Sequence, residues 1–314
     1  MNPAHEEHLA TRRQAGLFDF SFMGLYEFAG AAALQPLQSR DLARLAPGRI
    51  AYTLLMDDDG RVVNDATVWR VADGRWWLFS GRRGDAGWIA ARTSARVRTG
   101  EHAVVALQGP CSGAILARVV GEAVVRSLRY FDFAPFEAAS CAGHIGRIGY
   151  SGELGYEILV PAAAGAALRR RLLEAGEPEG LRECGWSSAD SLRIEAGYVL
   201  FDREVDGEAN PRELGLERPV DGARTFGLHR KLTGLEILDG PAGAELPEAK
   251  VTSECFSPTL GKAIALGFVA PGLAEGSRVQ ADGRLARIAS LPFYDPQRRR
   301  PRAAPLDPPP SGQG

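Results

Sequence analysis

The 314-residue chain predicts an α+β fold built on antiparallel sheets. Three observations carry this. Two runs rich in Val, Thr and Trp, RVVNDATVWRV and WWLFS, are joined by the tight turn Ala72-Asp73-Gly74-Arg75, which is a hairpin signature. No strand-to-helix turn carries G-x-G-x-x-G, and the glycine-rich GRIGYSGELG run lacks the lysine of a phosphate loop, so a doubly wound nucleotide fold is excluded. Glycine makes up 37 of 314 residues with no G-x-y period, against about 7% in ordinary chains, as many tight turns between short elements require. At about 150 residues per domain the length predicts two or three domains.

The elements follow in order. Residues 1–15 are polar and read as a helix or a frayed end, and residues 16–34 as a strand passing into a short helix. QSRDLARLAPGR reads as a helix stopped at Pro47-Gly48. YTLLM, a DDDG turn and the hairpin above come next. Trp88, Ile89 and Arg92 lie at helical offsets, giving a helix over 85–95. HAVVALQGP is a strand ending in a Gly-Pro turn, followed by a helix over 112–120 with Ser112 as its cap. YEILVP is a strand, and residues 163–175 form an amphipathic helix. Ser187 and Asp190 have capping-box spacing for a helix that Gly197 terminates in the left-handed conformation. Residues 250–294 read as short strands and glycine turns, and the proline-rich end as disordered.

Composition removes several function classes. The 37 basic and 39 acidic residues give a net charge of -2, without the basic excess expected of a phosphate-tracking surface. Four cysteines without C-x-x-C spacing and five histidines without H-E-x-x-H predict neither a zinc site nor a disulfide scaffold. No run approaches 18 apolar residues and the N-terminus lacks an apolar signal core, so the chain reads as soluble and cytoplasmic.

Two constellations could carry chemistry. Asp57, Asp58 and Asp59 read as turn residues, but Asp65 interrupts an apolar strand between Val63 and Ala66. A strand-start cap and a functional carboxylate both account for it. In GYSGELGYE, Glu153 and Glu157 lie beside Tyr150 and Tyr156. A carboxylate there could accept paired N–H bonds from a guanidinium or a 2-amino-4-oxo heterocycle, with an aromatic face alongside; a loop and strand edge explain the pattern equally. Asp190 and Arg193 form an i,i+3 pair, or the arginine between Leu192 and Ile194 turns inward. His5, His8 and His229 read as solvent-facing, and no Ser-His-Asp or Cys-His set assembles.

The ordered blocks AGLFDFSFMG, LQSRDLARLAPG, YTLLMDDDGRVVND, LQGP, GYSGELGYEILVP, ADSLRIEAGYVLFDREVD, KLTGLEI, VTSECFSPTLGKAIALGFV and PFYDP resemble the aminomethyltransferase family, the T-protein of the glycine cleavage system and its folate-binding relatives. The resemblance implies a three-domain cloverleaf around a channel that holds tetrahydrofolate. Residues 1–51 with 141–228 would form a discontinuous folate-binding domain, 52–140 an inserted ferredoxin-like domain and 229–296 a β-barrel-like domain, with 297–314 a disordered tail.

On the matching positions, Asp65 would lie near N5 of the folate as the catalytic carboxylate. Glu157 would bind the pterin, with Glu153 and Tyr150 supporting the loop. Arg193 would line the pocket, braced by Glu195, and Tyr52 would join the binding residues. The implied activity is transfer of a one-carbon unit from an aminomethyl group on a lipoyl carrier protein to tetrahydrofolate, in a monomer or weak dimer without nucleic-acid or membrane partners. A folate-dependent demethylase and a non-catalytic folate sensor or assembly factor are the alternatives. The chain departs from the family pattern at Asn64, where an aspartate is usual, at Ser151 of GYSGE, and in a shortened segment before KLTGLE.

Overall fold

The computed structural model describes residues 2–138, 141–222, 225–243 and 245–306. Helix α1 (Pro3–Arg13) starts at Asn2, whose side chain accepts from the Ala4 N–H, and Pro3 supplies a preset first turn. Strands β1 (Gly16–Asp19) and β2 (Gly24–Ala29) lead to the four-residue α2 (Ala31–Leu34). The helix expected over QSRDLARLAPGR shrinks to one 3-10 turn at Leu42–Arg44, capped by Asp41. Gln35 and Gln38 side chains bond the Arg40 and Leu42 backbone there and hold the segment as irregular loop.

The hairpin region forms as β3 (Ile50–Met56), β4 (Val62–Ala72) and β5 (Arg75–Ser80), followed by α3 (Asp85–Ala90) and β6 (Arg96–Val97). Strand β7 (His102–Gln108) precedes α4 (Ser112–Val120). Cys111, not Ser112, occupies the cap position of α4, because the Ser112 hydroxyl is turned inward to the Leu154 carbonyl. Helix α5 (Glu122–Ser127), β8 (Phe133–Ala138), β9 (Cys141–Gly146), β10 (Gly155–Pro161), α6 (Gly165–Gly176), β11 (Arg182–Glu183) and α7 (Trp186–Glu195) follow. Strands β12 (Lys231–Pro241), β13 (Glu248–Ser257), β14 (Lys262–Val269), β15 (Arg278–Ala281) and β16 (Arg284–Ala289) close into a barrel.

Two sheets precede the barrel, in the orders β11-β1-β7-β10-β9-β8 and β3-β4-β5-β2-β6. This corrects the boundaries expected at 51/52 and 140/141. Strand β2 pairs with β5 and β6, so residues 24–97 share one sheet. Strand β7 pairs with β1 and β10, which places 102–108 in the other. Motif positions cannot reveal that partition, since backbone pairing between distant strands decides it.

Burial organises the layers. Helices α4 and α6 cover one face of the first sheet over Leu107, Tyr156 and Ile158. Its other face packs on Trp69, Trp77 and Phe79 of the second sheet and on Ala189 and Leu192 of α7. Leu54, Ile194 and Leu266 bring the second sheet, α7 and the barrel together. Residues 297–306, expected to be disordered, pack on this body: Pro301 is buried, Arg147 donates to the Ala303 carbonyl, and Leu306 joins the core beneath α4. These backbone anchors compensate for the poverty of apolar side chains. Residues 307–314 of that expected tail lie outside the described residues.

Candidate active site

Asp65 sits on β4 opposite Leu54, beside a neighbour that is fully used. The Asn64 carbonyl oxygen accepts from the Asp65 backbone N–H at 2.9 Å, while its amide nitrogen donates to Ser80 at 3.0 Å and to Asp85 at 2.7 Å. The side chain at position 64 is therefore tied to a buried carboxylate at Asp85. Asp65 itself turns the other way and accepts from the Tyr52 hydroxyl at 3.1 Å. Burial raises its carboxyl to about 6 against the pull of that hydrogen bond, and burial likewise raises the Tyr52 hydroxyl.

Tyr150, Tyr198 and Arg193 complete this group. The Tyr150 hydroxyl donates to the Val199 carbonyl at 2.6 Å, and its ring lies 6.0 Å from that of Tyr198. Arg193 is fully buried on α7. Its Nε donates to Asp190 at 2.7 Å, Nη1 to Glu204 at 2.8 Å and to the Tyr198 carbonyl at 3.1 Å, and Nη2 to Ser253 at 2.6 Å. Glu204 also accepts from Thr252 and Ser253 of the barrel. The arginine turned inward, as one sequence reading allowed, and its fork is saturated by protein groups. It holds the wall of the pocket and sends its field toward Asp65 and Tyr150.

Glu157 differs from every other buried acid here. It lies on β10 opposite Ala106 and Gly146, on the face shared with Leu159 and turned toward the aromatic layer. It is 8% exposed, and no donor among the described residues bonds its carboxylate. Burial alone raises it to about 7. Tyr150 packs on the same cluster as Ala106, which links Glu157 to the Asp65 group. An ionised carboxylate left without donors in such a place is costly unless a ligand supplies them. A 2-amino-4-oxo pterin presents two adjacent N–H donors and a flat face, and so fits this carboxylate and the surrounding rings.

Glu153 and Glu195 do not join this pocket. Glu195 accepts two bonds from Arg12, at 2.9 and 2.8 Å, lies 3.0 Å from His8 Nε2, and accepts from Ser257. It therefore braces Arg12 and not Arg193, whose partners are Asp190 and Glu204. Glu153 pairs with Arg12 at 3.0 Å and Arg300 at 3.4 Å, so its carboxylate is occupied and leaves none free for a ligand. His8, expected in solvent, is buried between Ser191 at 2.7 Å and Thr259 at 2.9 Å. The capping box at Ser187 is not used: α7 begins at Trp186, and Glu7 from α1 accepts from the Gly185 N–H and the Ser188 hydroxyl. Sequence reading missed Arg12, His8, Glu204 and Tyr198. The charged residues within LFDREVD were the available signal for Glu204; α1 offered none.

An open cleft of about 400 Å³ is lined by Phe20, Phe22, Trp186, Ala189, Phe201 and Arg203 among others, and by none of Asp65, Tyr52, Tyr150, Tyr198, Arg193 and Glu157. Phe22 and Trp186 meet edge to face at 5.4 Å and both remain exposed. Among the described residues no group of three His, Cys, Asp or Glu side chains is placed to hold a metal, and no helix is long and apolar enough to cross a membrane.

Two family models cover nearly the whole chain: the GCVT N-terminal domain over residues 1–223 and the glycine cleavage T-protein C-terminal barrel domain over 230–295. The chain belongs to the glycine cleavage T-protein family of aminomethyltransferases. It is 37% identical to an aminomethyltransferase of Symbiobacterium thermophilum, over 94% of this chain and 90% of the relative. It is 34% identical to one of Thermosynechococcus vestitus, over 95% and 88%. The crystal structure of glycine cleavage system aminomethyltransferase T from Bartonella henselae matches with a TM-score of 0.79 at 28% identity, covering 93% of this chain and 90% of that one. The α+β architecture with a C-terminal barrel is thus that of the family. The alignment to the first relative spans 341 positions, more than the chain contains, so this T-protein family member omits segments that the relative has.

Proposed function

We propose that this protein catalyses folate-dependent aminomethyl transfer, with tetrahydrofolate as the acceptor and a lipoyl carrier protein as the donor. The carrying observation is Glu157, a buried carboxylate with no donor of its own among the described residues, facing the aromatic layer that adjoins Asp65. Tetrahydrofolate would supply N5 as the acceptor: the carbon of the S–CH2–NH2 group loses its bond to nitrogen, which leaves as ammonia, and its bond to sulfur, which returns to the carrier as a thiol, while bonds to the folate nitrogens N5 and N10 form in their place. Glu157 accepts the two pterin N–H donors and sets the ring's orientation. Asp65, its carboxylate held by Tyr52 and its backbone N–H by the Asn64 side-chain oxygen, places its carboxylate by the reacting nitrogen and stabilises the positive charge that develops there. Tyr150 and Tyr198 keep water from that face, and Arg193 holds the wall they stand on.

The cleft between Phe22, Trp186 and Phe201 is the entry for the apolar carrier arm. Phe201 lies against Gly81, next to Ser80, which pairs with Ala66, the residue after Asp65. The names of the relatives favour neither the demethylase nor the sensor alternative. The test is ammonia release and formation of one-carbon-loaded folate when the purified protein meets tetrahydrofolate and an aminomethylated lipoyl carrier. Turnover that needs both partners is expected; folate binding without any turnover would reject the donor class.

A further inference from the structure

Asn64 and Asp65 are neighbours in β4 and so face opposite sides of the strand. Asp65 is turned to Tyr52. Asn64 is fully buried on the face of Ala66 and Val68, which pack with Ile89 of α3. The β3–β4 register shifts at this point, from Leu55 opposite Asn64 to Met56 opposite Val62, and leaves Val63 as an extra residue. A bulge of this kind re-aims the side chains next to it and loosens the local ladder. The side chain of Asn64 restores the lost constraint. Its Oδ1 accepts from the Asp65 N–H at 2.9 Å, and its amide donates to Ser80 Oγ at 3.0 Å and to Asp85 Oδ2 at 2.7 Å.

Asp85 is buried as completely as Asn64. It accepts from the Ser80 hydroxyl and from Arg82 Nε, the latter at 2.9 Å, while Arg82 Nη1 donates to Asp202 at 3.0 Å. Asp202 lines the cleft with Phe201 and Arg203. An unbroken run of hydrogen bonds thus leads from the cleft wall to the backbone of Asp65. The other ionisable groups around the run are Tyr26, which lies in the field of Asp85 and Arg82, and Tyr52 and Arg193, which act on Asp65 from the pocket side. Burial raises Asp65, and the Asp85 charge adds to that rise.

Resting on the folate reading above, we propose that Asn64 and Asp85 are a positioning pair that fixes the direction of the Asp65 carboxylate through its backbone. They act through Asp65 and not on the reacting atoms. The pair works in one arrangement of charge. An amide at position 64 can donate to the ionised Asp85 while its oxygen stays with the Asp65 N–H. A carboxylate there would face Asp85 at hydrogen-bond distance, so one of the two must take a proton or turn away. Exchanging the two residue types keeps the match, because the amide then donates from position 85 and the carboxylate at 64 still accepts from Asp65.

The experiment measures kcat, the KM for tetrahydrofolate and the thermal midpoint of full-length variants, and follows the Asp65 carboxyl by 13C NMR titration. Asn64→Asp should lower kcat about tenfold or more with little change in that KM. Asn64→Asp combined with Asp85→Asn should recover most of the loss. Asp85→Asn alone retains an acceptor oxygen for the Asn64 amide but removes the charge, so the Asp65 titration should move down from about 6. A purely structural pair would change the thermal midpoint and leave that titration in place. An unchanged kcat in Asn64→Asp, a combined variant that folds but recovers nothing, or an Asp65 titration indifferent to Asp85→Asn would each overturn the pair. Absence of turnover in the unaltered protein would overturn the folate reading instead, and the Asp65 titration would then decide the pair by itself.

Discussion

Two sets of buried carboxylates, built from the same residue types, behave in opposite ways. Glu195 receives two guanidinium bonds from Arg12, a contact from His8 and a hydroxyl bond from Ser257. Burial alone would raise its carboxyl, but the His8 hydrogen bond and the Arg12 charge outweigh that and hold it down at about 2. Glu157 and Asp65 have one donor side chain between them, and burial lifts them to about 7 and about 6. Glu153 stands between the cases, since burial raises it despite Arg12 and Arg300. Saturated acids join the α1 helix, α7 and the barrel; the acids left short of donors face the pocket. Buried acids with perturbed ionisation mark a site only when their partners are missing from the protein itself.

The comparison breaks most severely at Arg12. Arg12→Ala strands Glu195 and Glu153 in the interior and should cost about 3–5 kcal/mol, read from urea denaturation at neutral pH. A loss below about 1 kcal/mol would mean that the network is not a structural clamp. The same network has an acid limit. Because Glu195 is depressed in the folded state, its contribution is complete above the ordinary glutamate value, near 4.5, and is lost as pH falls toward about 2.

Asp65→Asn should leave folding intact and reduce turnover about 10²–10⁴-fold, with the thermal midpoint at pH 8 unchanged or raised. Comparable loss of stability and activity would place Asp65 with the clamp. Glu157→Gln is the sharper contrast. A carboxyl raised from 4.5 to about 7 destabilises the fold increasingly as pH rises through that window, and fully above it. The glutamine variant should therefore gain up to about 3 kcal/mol at pH 8 and almost nothing at pH 4, while losing affinity for tetrahydrofolate. In the unaltered protein, folate affinity should fall as pH drops below about 7, because the ionised carboxylate is the form that accepts the pterin N–H bonds. Affinity independent of pH from 5 to 8 would remove Glu157 from the pterin site.

The smallest effect belongs to Tyr52→Phe. Removing the hydroxyl that holds Asp65 should cost about 1 kcal/mol and raise the Asp65 carboxyl further, moving the acid limb of the rate profile upward from about 6. An unshifted profile would show that the 3.1 Å bond does not govern Asp65 ionisation.

Much of the fold was legible because its signals are local. The β4–β5 hairpin, strand β10, helix α6 and the Gly197 terminus, at φ 66°, follow from alternation, amphipathicity and glycine within windows of about a dozen residues. The site was half legible. Asp65 and Glu157 are conspicuous as charges within apolar strands, and each faces the interior. The helix α1 gave no such signal: its polar sequence hides His8 and Arg12, whose partners lie more than 130 residues along the chain. The capping spacing at Ser187 failed for the same reason, since Glu7 reached that helix end first.

The amino-acid order by itself determined the element types, the antiparallel class and the family, because these rest on short-range periodicity and on motifs in sequence. Only the tertiary structure decided which acids are clamped and which face the pocket. A carboxylate's ionisation depends on burial and on donors within about 3 Å, and folding brings those from anywhere in the chain.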